Sequence, residues 1–237
     1  GDGGAGDHCA LADAGWAAHH LGYEPLILKD LSMQTVILTC HHPQALQRAL
    51  AALQAGELVA FPTDTVYGLG ASLRYPASIL KLYEVKGREA AKAIPILVSS
   101  LQELALVAQD PGPVVLRLAE RFWPGPLTLV VPRRPDLPVE LSPYATIGVR
   151  MPDHPDALAL LHATGPLAVT SANLSGQPSA VAPQEVLAQL DGRIALLLDG
   201  GACPGGASST VVDTTTPELH ILRQGPLTLE EIMEALD

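Results

Sequence analysis

The sequence predicts an α/β protein, a layered sandwich built on one mixed, twisted sheet. Three observations predict it. Short runs rich in Val, Ile and Leu alternate with longer amphipathic stretches, the pattern of interleaved strands and helices. In two places consecutive apolar runs are joined with no helical stretch between them, which adds antiparallel neighbours to the sheet. Hydrophobic residues make up 48% of the 237 and aromatics only 4%, so Leu, Val and Ala must fill a core large enough to need no staples.

In chain order, residues 1–32 stand apart and read as an N-terminal extension, poorly ordered, with a domain over 33–237 that starts naturally at Met33. The extension opens GDGGAGDHCALADAG, lacks periodicity, and sets five acids (Asp2, Asp7, Asp13, Glu24, Asp30) against Lys29. Five of the eight histidines lie within the first 42 residues, at spacings that match no familiar metal site. Residues 35–38 read as the first strand. PQALQRALAALQAG then places Leu46, Ala49, Leu50 and Leu53 on one helical face, with Gly56 just past its end. A strand follows at 58–61. PASILKLYEVKG is a second helix, with Pro76 in its first turn and Gly87 after its last. Residues 94–98 read as a strand, Ser99 or Ser100 caps a helix over 101–108, and another helix covers 113–121. Strands are expected at 127–131, 146–150, 167–170, 194–198, 210–213 and 219–223, with helices near 155–163, 183–190 and 228–236. The antiparallel pairs are 127–131 with 146–150 and 210–213 with 219–223.

Composition excludes several classes. The net charge of −11 argues against nonspecific nucleic-acid binding over the whole surface, but not against a local basic cleft for an anion. Cys9, Cys40 and Cys203 are widely separated and form no CxxC pair, which reads as a reduced, cytoplasmic setting. No apolar run approaches the roughly 18 residues of a membrane span, and no signal-peptide pattern opens the sequence.

Polar or glycine-bearing turns follow several strands, and ligands of open α/β sheets bind at strand ends. FPTDTVYGLGAS, residues 61–72, runs from a buried strand into hydroxyls and glycines, more than a turn requires. KGREAAKAIP brings Lys86, Arg88 and Lys92 together in an acid-rich chain, either as a solvated helix end or as a phosphate clamp. VTSANLSGQPSA offers Ser171, Asn173, Ser175 and Ser179 after a strand, groups suited to phosphate oxygens. LDGGACPGGASSTVVD is glycine-rich, yet neither GxxxxGK[ST] nor a GxGxxG after a strand is present. Arg150 and Arg223 each end a strand. No acyl-transfer triad is visible: Cys203 has no assignable partner, and His154 reads as a turn residue.

Six segments in order, FPTDTVYGLGA, the Lys-x-Arg of KGR, FWPGPLTLVV, IGVRMPDHP, TSANLSG and STVVD, closely resemble the YrdC-like family, the threonylcarbamoyl-AMP synthases, over residues 35–228. The resemblance implies an open, twisted mixed sheet flanked by helices, with a concave ligand cleft. It implies a nucleotidyltransferase that makes L-threonylcarbamoyladenylate and pyrophosphate from L-threonine, bicarbonate and ATP with Mg²⁺. A partner tRNA-modifying transferase complex would then use the product for N6-threonylcarbamoyladenosine. By the same resemblance Lys86, Arg88, Ser171 and Asn173 are the catalytic set. Thr65, Arg150 and Ser209 face threonine, with Arg150 on its carboxylate. Arg88, Lys92, Ser171, Ser179 and Arg223 face ATP.

The sequence departs from the family at Glu89, where relatives often carry Pro, and at Leu97, where many carry His near threonine. Two other readings stay open at this point: a carbamoyl-adenylate-forming domain of the hydrogenase-maturation type, and a non-catalytic double-stranded RNA-binding protein.

Overall fold

The computed structural model describes residues 34–89 and 92–236; the extension expected at 1–32 lies outside them. In chain order the elements are β1 (Val36–Thr39), α1 (Ala45–Gln54), β2 (Val59–Phe61), β3 (Gly68–Ser72), α2 (Pro76–Lys86), β4 (Ile96–Leu97), α3 (Pro113–Phe122), β5 (Leu127–Pro132) and β6 (Thr146–Arg150). There follow α4 (Pro155–Thr164), β7 (Leu167–Ser171), α5 (Pro183–Leu190), β8 (Leu196–Asp199), β9 (Thr210–Asp213), β10 (His220–Arg223) and α6 (Leu229–Glu234). The ten strands form one open mixed sheet in the order β1-β8-β2-β3-β7-β4-β6-β5-β9-β10. Both pairs expected to be antiparallel, β5 with β6 and β9 with β10, are so.

Strand alternation divides the interior between the two faces of the sheet. Val59 and Phe61 of β2, Leu167 and Val169 of β7, and Leu196 and Leu198 of β8 share one cluster with α1 and α4. Their neighbours Ala60, Ala168 and Leu197 join the other cluster, with residues from α2, α3, α5 and α6. The second cluster also takes Leu127, Leu129 and Val131 of β5, Ile147 and Val149 of β6, and Val212 of β9. The opposite faces of these last three strands supply nothing to the α1/α4 cluster. The helices therefore cover only part of that side, and the uncovered part is where a ligand can enter.

Four expectations need correction. The buried stripe of α1 is Ala45, Ala49 and Leu53, while Leu46 is 41% exposed. Small residues at i and i+4 let α1 lie close against α4, so the stripe rotates toward them. The segment GLGAS, given no element from the sequence, is the buried strand β3, paired antiparallel with β2 and β7. Its glycines make room for neighbours, since a Cβ at Gly70 would sit 2.9 Å from Phe61 Cε1 and one at Gly68 2.9 Å from Val169 Cγ1. β4 is two residues long because Pro95, which has no N–H, cannot donate to a ladder; its carbonyl accepts from Val169 N at 2.9 Å. The expected helix over 101–108 is a 3-10 helix, Leu101–Leu106, with no side-chain cap from Ser100. Instead Glu103 accepts from Ser99 N and Oγ at 2.6 and 3.0 Å.

Candidate active site

The helix-free face of β6, β5 and β9 forms the floor of a cleft of about 370 Å³. Thr128 and Val130 of β5, Gly148 and Arg150 of β6, and Val211 of β9 line it, each alternating with a core residue on its own strand. The cleft thus lies across the sheet face and reaches the strand ends that carry Arg150, Ser171 and Arg223, because α1 and α4 leave these strands bare on that side.

Thr65 reaches the cleft through a self-satisfied turn. Pro62 follows the end of β2, and Thr63 Oγ1 then donates to Val66 O at 2.6 Å, accepts from Thr65 N at 3.2 Å and shares a bond with Thr65 Oγ1 at 3.0 Å. These bonds let two threonines be buried without unpaired hydroxyls. Arg150, 6% exposed, is the last residue of β6. Its Nε donates to Gly125 O and its Nη1 to Thr65 Oγ1, both at 2.9 Å, and its Nη2 pairs with Asp64 Oδ1. Burial lowers its pKa, the Asp64 carboxylate opposes that, and the charge of Arg223 adds to the lowering.

Arg88 is placed by the end of α2. Gly87 adopts a left-handed conformation (φ 57°), and Gly87 N and Arg88 N bond back to Glu84 O and Tyr83 O. The guanidinium then donates to Lys92 O at 3.2 Å and Ala93 O at 2.9 Å, which holds it at the cleft wall. Arg223 stands at the end of β10. It donates from Nε and Nη2 to Ser209 O and from Nη2 to Ser209 Oγ at 3.0 Å. Burial lowers the pKa of both Arg88 and Arg223, and the Arg88 charge lowers that of Arg223 further. Among the described residues, the lining contains Arg88, Arg150 and Arg223 and no carboxylate.

Thr65, Arg88, Arg150, Ser171, Ser209 and Arg223 thus meet in one cleft. The other four residues singled out in the sequence do not line it. Lys86 is 2% exposed and points its Nζ at the carbonyls of Ser171 and Asn173, while its own carbonyl accepts from Ser175 N at 2.8 Å. It clamps the Ser-x-Asn turn from below rather than facing a ligand. Burial, with the Arg88 charge adding, pushes its pKa down to about 8. The Asn173 amide nitrogen also serves that turn, donating to Leu174 O and Gln177 O, both at 2.8 Å, while its Oδ1 is buried without a partner among the described residues. Ser179 is half-buried away from the lining, and the Lys92 side chain is exposed beside Glu89, 3.7 Å away. Leu97, at the position noted as a departure, does line the cleft, 5% exposed.

Two residues that sequence reasoning passed over belong to the site. Asp64 pairs with Arg150 although it does not itself line the cleft. Thr128 shares a 2.8 Å bond with Ser209 Oγ. A polar residue inside the apolar run LTLVV, and an acid between two threonines, were the available signals.

Fold and cleft together define an α/β protein with a cationic, hydroxyl-lined hollow on its sheet face, suited to an anionic ligand. A family model, Sua5_yciO_yrdC, described as telomere recombination, matches residues 51–225. The chain is 42% identical over 201 residues to the threonylcarbamoyl-AMP synthase of Bacillus subtilis, a match covering 82% of this chain and 57% of that protein. It therefore spans little more than half the length of that relative. A Mycobacterium tuberculosis relative, 38% identical over 207 residues, is covered over 95% of its length, with 85% of this chain. The crystal structure of Pyrococcus abyssi Sua5 complexed with L-threonine superposes with a TM-score of 0.80 at 38% identity, over 86% of this chain and 60% of that one. The chain belongs to the Sua5/YciO/YrdC family.

Proposed function

We propose that this chain joins L-threonine, bicarbonate and ATP into L-threonylcarbamoyladenylate, releasing pyrophosphate. The observation that carries the proposal is the cleft lining: three arginines and several hydroxyls around one hollow, with no carboxylate and no cysteine among the described residues. The threonine amine adds to CO₂ supplied by bicarbonate and loses a proton, giving a carbamate. A carbamate oxygen then attacks the α-phosphorus as the bond to pyrophosphate breaks. Every reactant is anionic, so the work is orientation and charge stabilisation rather than covalent catalysis. Arg150, Thr65 and Ser209 hold the amino acid, and Arg88, Arg223 and Ser171 hold the nucleotide. Lys86 and Asn173 act through the Ser171–Asn173 turn. Lys92 and Ser179, outside the lining, carry no part of the proposal.

Mg²⁺ ordinarily takes one or two protein carboxylates besides phosphates and water. Among the described residues no group of three or more His, Cys, Asp and Glu could hold a metal, and the lining has no acid. The lining residues do not fit a resident Mg²⁺ site, so the ion enters only with the ATP substrate. The product is a reactive mixed anhydride, which fits a tRNA-modifying transferase complex as its consumer.

The test is incubation with ATP, Mg²⁺, bicarbonate and single amino acids, reading pyrophosphate release and the mass of the adenylate. Threonine-dependent release with the matching adenylate is expected. Turnover on carbamoyl phosphate without threonine would assign the carbamoyl-adenylate reaction instead. Salt-sensitive RNA binding with no adenylate formed would assign an RNA-binding role.

A further inference from the structure

Arg150 has five N–H donors, and three are committed to three different acceptors: Gly125 O, Thr65 Oγ1 and Asp64 Oδ1. Two remain for a ligand, one on each Nη, on a group whose planar fork can meet a carboxylate. A guanidinium stays charged even when buried, so here it needs a counter-charge to offset its lost hydration and a fixed partner to stay in one orientation. Asp64 supplies both. Its side chain is 12% exposed, and Oδ1 also accepts from Asp153 N at 3.1 Å, just ahead of α4. Its backbone is held from the other side by the glycine-rich loop, where a Cβ on Gly205 would sit 2.5 Å from Asp64 O. Asp64 is thus held by two segments remote in sequence, its carboxylate by Asp153 N and its backbone by the Gly205 loop, and Arg150 is paired with it.

We propose that Asp64 is a positioning residue for substrate recognition: its carboxylate holds Arg150 so that the two uncommitted N–H groups receive the carboxylate of the amino-acid substrate. This rests on the proposed function, because the ligand it concerns is the amino acid of that reaction. The negative charge of Asp64 beside Arg150 also weakens its pull on an incoming anion. Asp64 therefore favours a ligand that can meet the guanidinium in one geometry over anions that need only charge.

The experiment compares wild type, Asp64→Asn and Asp64→Ala. It measures L-threonine binding by calorimetry, KM for threonine and for ATP, and kcat from pyrophosphate release. Asp64→Asn keeps an acceptor for Asp153 N and Arg150, so it guards against a variant that fails to fold. The expected result is a rise in threonine Kd and KM of roughly 10- to 100-fold in Asp64→Ala, with a smaller rise in Asp64→Asn. KM for ATP and kcat at saturating threonine should stay within about threefold, a split that general loosening would not produce. Threonine binding that is unchanged or tighter in both variants would overturn the inference while leaving the proposed reaction standing. So would equal losses for threonine and ATP. A wild-type protein that neither binds threonine nor releases pyrophosphate would remove the proposed reaction, and this inference with it.

Discussion

Lys86→Met tests the burial of an ammonium with almost no change of shape. A lysine titrating at about 8 instead of 10.5 costs the folded state about 3 kcal/mol at neutral pH, at ~1.4 kcal/mol per tenfold in proton affinity. Methionine removes that cost, but it leaves the carbonyls of Ser171 and Asn173 without their donor, at roughly 1–3 kcal/mol each. The two effects largely offset at pH 7, so the variant should unfold within about 3 kcal/mol of wild type. The distinguishing result is the pH dependence. Because the folded pKa is lowered, both states hold the proton below pH 8 and the full cost is present there. Between about 8 and 10.5 the unfolded chain keeps the proton and the folded chain releases it, so wild-type stability rises with pH relative to the variant, by up to about 3 kcal/mol. Cys40, Tyr67, Tyr83 and Cys203 all have pKa values raised mainly by burial. They pull the other way in that range, but they are common to both proteins and cancel in the difference. Urea denaturation of both proteins at pH 7, 8, 9 and 10 provides the measurement, with m-values compared to exclude a changed unfolded state. A gap that stays constant with pH would refute the buried, titrating ammonium. Pyrophosphate release by the variant should fall sharply while the fold is kept, because the turn carrying Ser171 loses its anchor.

Arg88→Ala should lower kcat/KM for ATP by about 100-fold or more, and Arg88→Lys should restore only part of it, since a point charge lacks the planar fork; steady-state pyrophosphate assays decide. Gly70→Ala places a Cβ 2.9 Å from the Phe61 ring, and the strain should cost about 1–3 kcal/mol, read as a lower urea midpoint with an unchanged slope. Thr128→Val removes the 2.8 Å partner of Ser209 Oγ, leaving that hydroxyl to Arg223 alone. KM for threonine should rise several-fold, on the order of the ~1 kcal/mol net value of one hydrogen bond, with stability little changed.

Much of the fold was legible because it is written locally. Pro76 at the start and Gly87 at the end of α2 mark a helix whose termination sets where Arg88 leaves the chain. The alternation in LTLVV and TIGVR marks strands and which of their residues share a face. The segments that build the cleft were likewise legible as polar or basic interruptions of apolar runs.

What each residue of those segments does was decided only by tertiary packing. Lys86 and Arg88 are two positions apart and chemically alike, yet one is buried under carbonyls and the other lines the cleft, because Lys86 ends α2 against the 171–173 turn and Arg88 follows the left-handed Gly87. Asp64 and Arg150 are 86 residues apart, so no local pattern announces their pairing. The strand β3 hid behind Gly68 and Gly70, whose missing side chains signal a turn in isolation and a place for Phe61 and Val169 in the folded sheet. Sequence by itself determined which residue types are brought to each strand and helix end, since those depend on backbone preferences over a few residues. The tertiary structure decided which of them face a ligand and which face their own backbone, since burial and charge pairing are summed over the whole fold.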